Sequence, residues 1–171
     1  MKKGDNLLSY NNSNMKNDIF YMELALGEAN KALKNGNIPV GAVIVNEGSI
    51  IAKNRNQVNE LQSDIAHAEM LAILQAQHNL YRSNNSWVLY TTLEPCMMCL
   101  GAIIYVNIAK LVIAAPAPKV GGLHLLNSST SYKERVPEIV IGLLKPESRN
   151  LIREYVAKTN QRHDLLEDTI S

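Results

Sequence analysis

At 171 residues the chain has the length of one domain, enough to bury roughly 70% of its unfolded surface without disulfide staples. Hydrophobic residues make up 46% and charged residues 19%, with a mean hydropathy of −0.11, the balance of a soluble globular protein. A formal net charge of +1 excludes a strongly basic nucleic-acid coat and an acidic tail domain, though not a local basic patch. The two cysteines cannot build a disulfide framework, and their spacing, Cys96-Met97-Met98-Cys99, suits a metal or redox site. Met1-Lys2-Lys3 has no apolar stretch behind it and does not read as a secretory signal. No apolar run reaches the ~20 residues of a membrane span, so a reducing, cytoplasmic location without a membrane partner is expected.

In chain order, residues 1–17 are rich in Asn, Ser and Lys and read as a disordered tail. A helix is predicted from Asp18 as N-cap, with Ile19, Met22, Leu26, Ala29 and Leu33 at helical spacing and Asn35-Gly36 as its stop. Pro39–Val45 is a continuous apolar run of strand length. The turn signal Asn46-Glu47-Gly48-Ser49 then returns the chain into Ile50-Ile51-Ala52 as a hairpin. A helix over 65–78, a strand over Trp87–Leu93 and a helix over Pro95–Val106 follow; the last is apolar on most sides and is expected to be buried. Strands are predicted at Lys110–Ala115 and Glu138–Ile141. The intervening residues 116–137 are long enough for a parallel crossover. A final helix begins near Pro146. The pattern predicts a three-layer α/β/α domain over residues 18–160 around a five-stranded mixed sheet, with residues 161–171 as a C-terminal tail.

The chemistry concentrates in His67-Ala68-Glu69 and Pro95-Cys96-Met97-Met98-Cys99. Cysteines at i and i+3 in the first turn of a helix share a face, and a helix N-terminus favours thiolate. Two thiolates and one imidazole form a soft set suited to Zn²⁺. Three protein ligands leave room for water, as catalytic rather than structural zinc sites do. Glu69 could be a fourth ligand, but residues i and i+2 diverge by about 200° on a regular helix. His67 and Glu69 can therefore share a site only at a helix start, where Glu69 is better placed to take a proton from zinc-activated water. Separately, Cys-x-x-Cys also reads as a redox pair and His-x-Glu as an ordinary surface helix. In this order, with Pro before the first cysteine, they resemble the signature of the zinc deaminases.

On these residues the chain resembles the cytidine deaminase-like superfamily and, within it, the bacterial tRNA adenosine deaminases. The likeness runs over residues 18–158 through Pro39-Val40-Gly41-Ala42-Val43, Ala66-His67-Ala68-Glu69, Thr92-Leu93-Glu94-Pro95-Cys96-Met97-Met98-Cys99 and, more loosely, Glu138–Gly142. It implies that His67, Cys96 and Cys99 hold zinc, that Glu69 shuttles protons, and that Asn56, Val40 and Glu94 contact substrate. It also implies a homodimer that converts adenosine to inosine in a tRNA anticodon loop. The family's Gly-Ala-x-Asp-x-Lys-x-Gly stretch is here Ala114–Gly121, with Ala117 in place of the aspartate. The last helix runs into an acidic end, Asp164 to Asp168, instead of paired phenylalanines and basic residues. Both departures leave open a free nucleobase or nucleoside (cytosine, guanine or cytidine) as substrate. A catalytically silent zinc-binding partner subunit is a third reading, opposed by Glu69.

The remaining features read more plainly. Lys145, Arg149 and Arg153 recur at i, i+4 and i+8 and are expected to be a solvated face rather than a phosphate ridge. Trp87 is expected in the core, and Met97 and Met98 are expected to pack. His78, His124 and His163 have no partners at ligand spacing. Asn56 lies in a loop-like stretch where asparagine also serves turns.

Overall fold

A computed structural model describes residues 12–81, 86–128 and 133–166. The expected mixed sheet is present, in the order β2-β1-β3-β4-β5. β1 (Gly41–Asn46) and β2 (Ser49–Arg55) form the predicted hairpin, closed by Glu47 at φ 48° and Gly48 at φ 79°. Two consecutive positive φ values give the primed turn that matches strand twist. β1 also pairs antiparallel with β3 (Trp87–Leu93), whereas β4 (Lys110–Ala115) and β5 (Glu138–Ile141) extend the sheet in parallel, as the crossover length predicted.

Strand alternation divides the core between two faces. Val43, Val45, Tyr90, Val112 and Ala114 point to α1 (Asn12–Lys34), packing on Met22 and Ala25. Ala42, Ile44, Leu89, Leu111 and Ile113 point the other way, into a cluster with α3 (Ala68–Leu80) and α4 (Met97–Tyr105). A short helix, α2 (Val58–Leu61), precedes α3, and α5 (Lys145–Thr159) lies against α1 and β4. At Gly41 an added Cβ would lie 2.0 Å from the Ala25 carbonyl oxygen, so only glycine lets β1 approach α1 this closely. Trp87 is buried, as expected. No described helix is long and apolar enough to cross a membrane.

Several expectations need correction. The first helix starts at Asn12, so Asp18 is not its N-cap. Asp18 is instead a buried mid-helix residue that accepts from Tyr90 Oη at 2.5 Å and from Lys110 Nζ at 3.0 Å. Residues 1–11 of the expected tail lie outside the described residues. At the other end, His163–Leu166 forms a 3-10 turn that buries Leu165, so the chain stays packed beyond residue 160. Arg149 is not part of a solvated stripe. It is 4% exposed and donates to the carbonyls of Leu165 (2.5 Å) and Pro116 (2.8 Å). Residues four apart advance by about 400°, so the stripe rotates about 40° per step and carries Arg149 inward. Finally, α4 buries only Cys99, Leu100 and Ile103. Met97 and Tyr105 are 69% and 72% exposed, so apolar composition did not mean burial on all sides.

Candidate metal centre and active site

The site lies beyond the carboxyl end of β3, where two helices begin. His67 is the N-cap of α3 in extended conformation, at φ −74° and ψ 153°. Cys96 is the N-cap of α4, at φ −66° and ψ 171°. Pro95 thus precedes the cap rather than opening the helix. Both helix starts aim their positive ends at one place, which favours anionic ligands there. The His67 Nδ1 atom is 3.6 Å from Cys96 Sγ and 3.5 Å from Cys99 Sγ. Among the described residues, these three are the group of metal-capable side chains whose ligand atoms all lie within 4.8 Å of one another. Two sulfurs and one imidazole nitrogen at this separation fit a single zinc ion in soft coordination.

The cysteines divide their protonation. The Cys96 thiol is pulled down to about 4, first by the hydrogen bond from Cys99 and further by His67. The Cys99 thiol is pushed up, first because it donates that bond and then by burial. His67 is raised, chiefly by its hydrogen bond with Cys96. Both sulfurs bind a cation as thiolates, so metal binding releases protons and affinity for the ion rises with pH.

Glu69 occupies the first turn of α3, at the helix start where it can share a site with His67. The residue is 3% exposed, and its Oε1 accepts from Thr91 Oγ1 at 3.0 Å. Burial raises its pKa above the ordinary carboxylate value, with His67 and Thr91 opposing the shift. A carboxyl poised upward is what proton transfer near neutrality requires.

His67, Cys96 and Glu69 line a cavity of about 70 Å³ whose apolar walls include Ile38, Val40, Val120 and Leu165. Asn56, buried at 4%, borders it and also turns the chain, its Oδ1 accepting from Val58 N–H at 3.2 Å. Glu94 borders it too, but its oxygens accept from Ala117 N–H (2.8 Å) and Leu123 N–H (3.2 Å). An added Cβ at Gly121 would lie 2.2 Å from that carboxyl, so the Glu94 clamp requires glycine. Ala117, at the divergent aspartate position, is fully buried under this clamp. His78, His124 and His163 are exposed and do not line the cavity. Arg162 does, and no local motif signalled it, because it lies 95 residues beyond His67 in sequence.

The profile of the cytidine and deoxycytidylate deaminase zinc-binding region matches residues 15–115. A tRNA-specific adenosine deaminase of Bacillus subtilis (strain 168) is 37% identical over 153 residues, covering 86% of this chain and 94% of the relative. A solved structure from studies of A-to-I editing by tRNA:A34 deaminases at the wobble position superposes with a TM-score of 0.72 at 36% identity, covering 77% of this chain and 98% of that one. A guanine deaminase from Nitrosomonas europaea superposes with a TM-score of 0.70 at 26% identity, covering 81% of this chain and 84% of that one. The chain belongs to the cytidine and deoxycytidylate deaminase family of zinc hydrolases, among the tRNA-specific adenosine deaminases.

Proposed function

We propose that this deaminase converts adenosine to inosine at the wobble position of a tRNA anticodon, in the cytoplasm. The observation that carries the hydrolytic chemistry is a three-donor metal set beside a buried carboxyl of raised pKa. The substrate class is supported by relatives of that activity along most of the chain. His67, Cys96 and Cys99 would hold the metal. A zinc ion in this set supplies Lewis acidity that brings the ionisation of water toward neutral pH.

Glu69 takes the proton released from water, while Thr91 fixes one of its oxygens. Glu69 passes that proton to the ring nitrogen, then takes the second proton of the water, left on the oxygen at C6, and delivers it to the departing amine. Water oxygen bonds to C6 of the base, the C6–amine bond breaks, and ammonia leaves. Asn56 has Oδ1 committed to the Val58 N–H, so its amino group is the part that can donate to the base. Val40 forms an apolar wall. Glu94 acts through the backbone it clamps, holding the 117–123 stretch against the turn that carries Cys96.

A free nucleobase is the second reading. The cavity of about 70 Å³ is tighter than the ~300 Å³ at the low end of ordinary ligand pockets, and Ala117 departs from the tRNA pattern. Inosine formation in an anticodon stem-loop is compared with ammonia release from adenine, guanine and cytosine. Turnover of the stem-loop alone supports the tRNA reading; turnover of a free base alone overturns it.

We further propose that the working unit is a homodimer joined across the exposed apolar side of α4, at Met97 and Tyr105. Sedimentation velocity should give twice the chain mass for the wild type and a monomer for Y105E. A monomeric wild type would end this proposal.

A further inference from the structure

The C-terminal segment is part of the active-site wall. After α5 the chain reverses through two residues of positive φ, Asn160 at 53° and Arg162 at 57°. The buried Arg149 guanidinium then pins the returning turn by donating to the Leu165 carbonyl, and it ties that turn to the end of β4 through the Pro116 carbonyl. Both Leu165 and Arg162 border the cavity. Leu165 is buried wall, whereas the Arg162 side chain is 39% exposed, which places it at the rim.

The chemistry of that rim is selective. Among the described residues lining the cavity, Arg162 is the one lysine or arginine. A neutral purine needs no cation for recognition, and hydrolysis at its amidine carbon has none to recruit from a guanidinium at the mouth. A nucleotide within a polynucleotide arrives differently: turned into the cavity, it brings its flanking phosphodiesters to the rim. Arginine is suited to this anion through its planar fork of donors. Asp164 holds Nε and Nη2 of Arg162 at 2.9 to 3.3 Å, which orders the side chain in advance. Nη1 is then the nitrogen left to meet a phosphate oxygen.

We propose that Arg162 is a specificity-determining residue that binds the RNA phosphodiester next to the target adenosine, with Asp164 positioning it. This contact rests on the tRNA reading above and sharpens it, because it would select a polynucleotide over a free base.

Zinc-loaded full-length wild type, R162Q and R162K are compared on an anticodon stem-loop RNA over a range of KCl concentrations. Zinc content and Tm check the fold of each variant. R162Q should raise KM about tenfold with kcat within about twofold, and lower the salt slope of log(kcat/KM) by roughly 0.7 to 0.9, the share of one phosphate contact. R162K keeps a point charge and should recover most of the slope. An active wild type whose KM and salt slope R162Q leaves unchanged overturns the contact and leaves the tRNA reading standing. Equal losses of kcat in R162Q and R162K, with the slope unmoved, overturn it in favour of a wall role. A wild type that does not convert the stem-loop overturns the tRNA reading and the contact together.

Discussion

Two carboxylates are buried against opposite faces of one strand, and each receives a hydroxyl from it. Tyr90 of β3 donates to Asp18 on the α1 side, and its neighbour Thr91 donates to Glu69 on the α3 side. Both carboxyls are raised by burial. They differ in their other neighbours. Asp18 also holds the ammonium of Lys110 at 3.0 Å, which stitches α1 to β4. Glu69 instead sits beside His67 and the cysteine sulfurs, a set arranged for a cation that the chain itself does not provide. A buried acid with a lysine partner supports the fold; a buried acid beside three metal donors keeps its proton available for chemistry.

The most forceful way to break this comparison is to neutralise both acids. E69Q should lower kcat by about two orders of magnitude or more, the scale of a general acid–base group, while retaining about one zinc per chain. D18N should do the reverse, leaving kcat near the wild-type value and costing about 1.5–3 kcal/mol in urea unfolding, as loss of a charge-assisted pair does. A D18N variant that loses activity while keeping its stability would erase the distinction. An E69Q variant with a near-normal rate would remove Glu69 from the proton path.

How much of this was legible in the sequence follows from the distances over which each feature is encoded. The metal donors and Glu69 stand in two short segments whose internal spacing, i to i+2 and i to i+3, is itself the geometric requirement. The strands of the sheet were legible because apolar runs bounded by turn signals can only be buried edge to edge. Asp18 was misread because its local setting resembles a cap, whereas its partners Tyr90 and Lys110 lie 72 and 92 residues away. Arg149 and Arg162 hid for the same reason: each acts on a segment that tertiary folding alone brings near. The exposed side of α4 was missed on different grounds. Hydrophobicity records that Met97 and Tyr105 avoid water but not whether the cover comes from the same chain.

The smaller test compares the two hydroxyls. T91V should lower kcat by about tenfold with little change in Tm, since it frees one Glu69 oxygen near the reaction. Y90F should leave kcat unchanged and lower stability by about 1.5 kcal/mol, the low end for a hydrogen bond to a charged group. The pH dependence sets Y90F apart further. Burial and the hydrogen bond to Asp18 raise the Tyr90 phenol well above its usual value near 10. Above pH 10 the unfolded chain therefore loses the phenolic proton while the folded chain keeps it. The folded state then binds more protons, so stability contributed by Tyr90 is complete below pH 10 and falls by about 1.4 kcal/mol for each pH unit above it. Urea unfolding of wild type and Y90F at pH 9, 10 and 11 should show the gap between them constant at first and then shrinking. A gap that stays the same to pH 11 would mean that the phenol ionises alike in both states, and the α1-side carboxylate would lose the partner that marks it as structural.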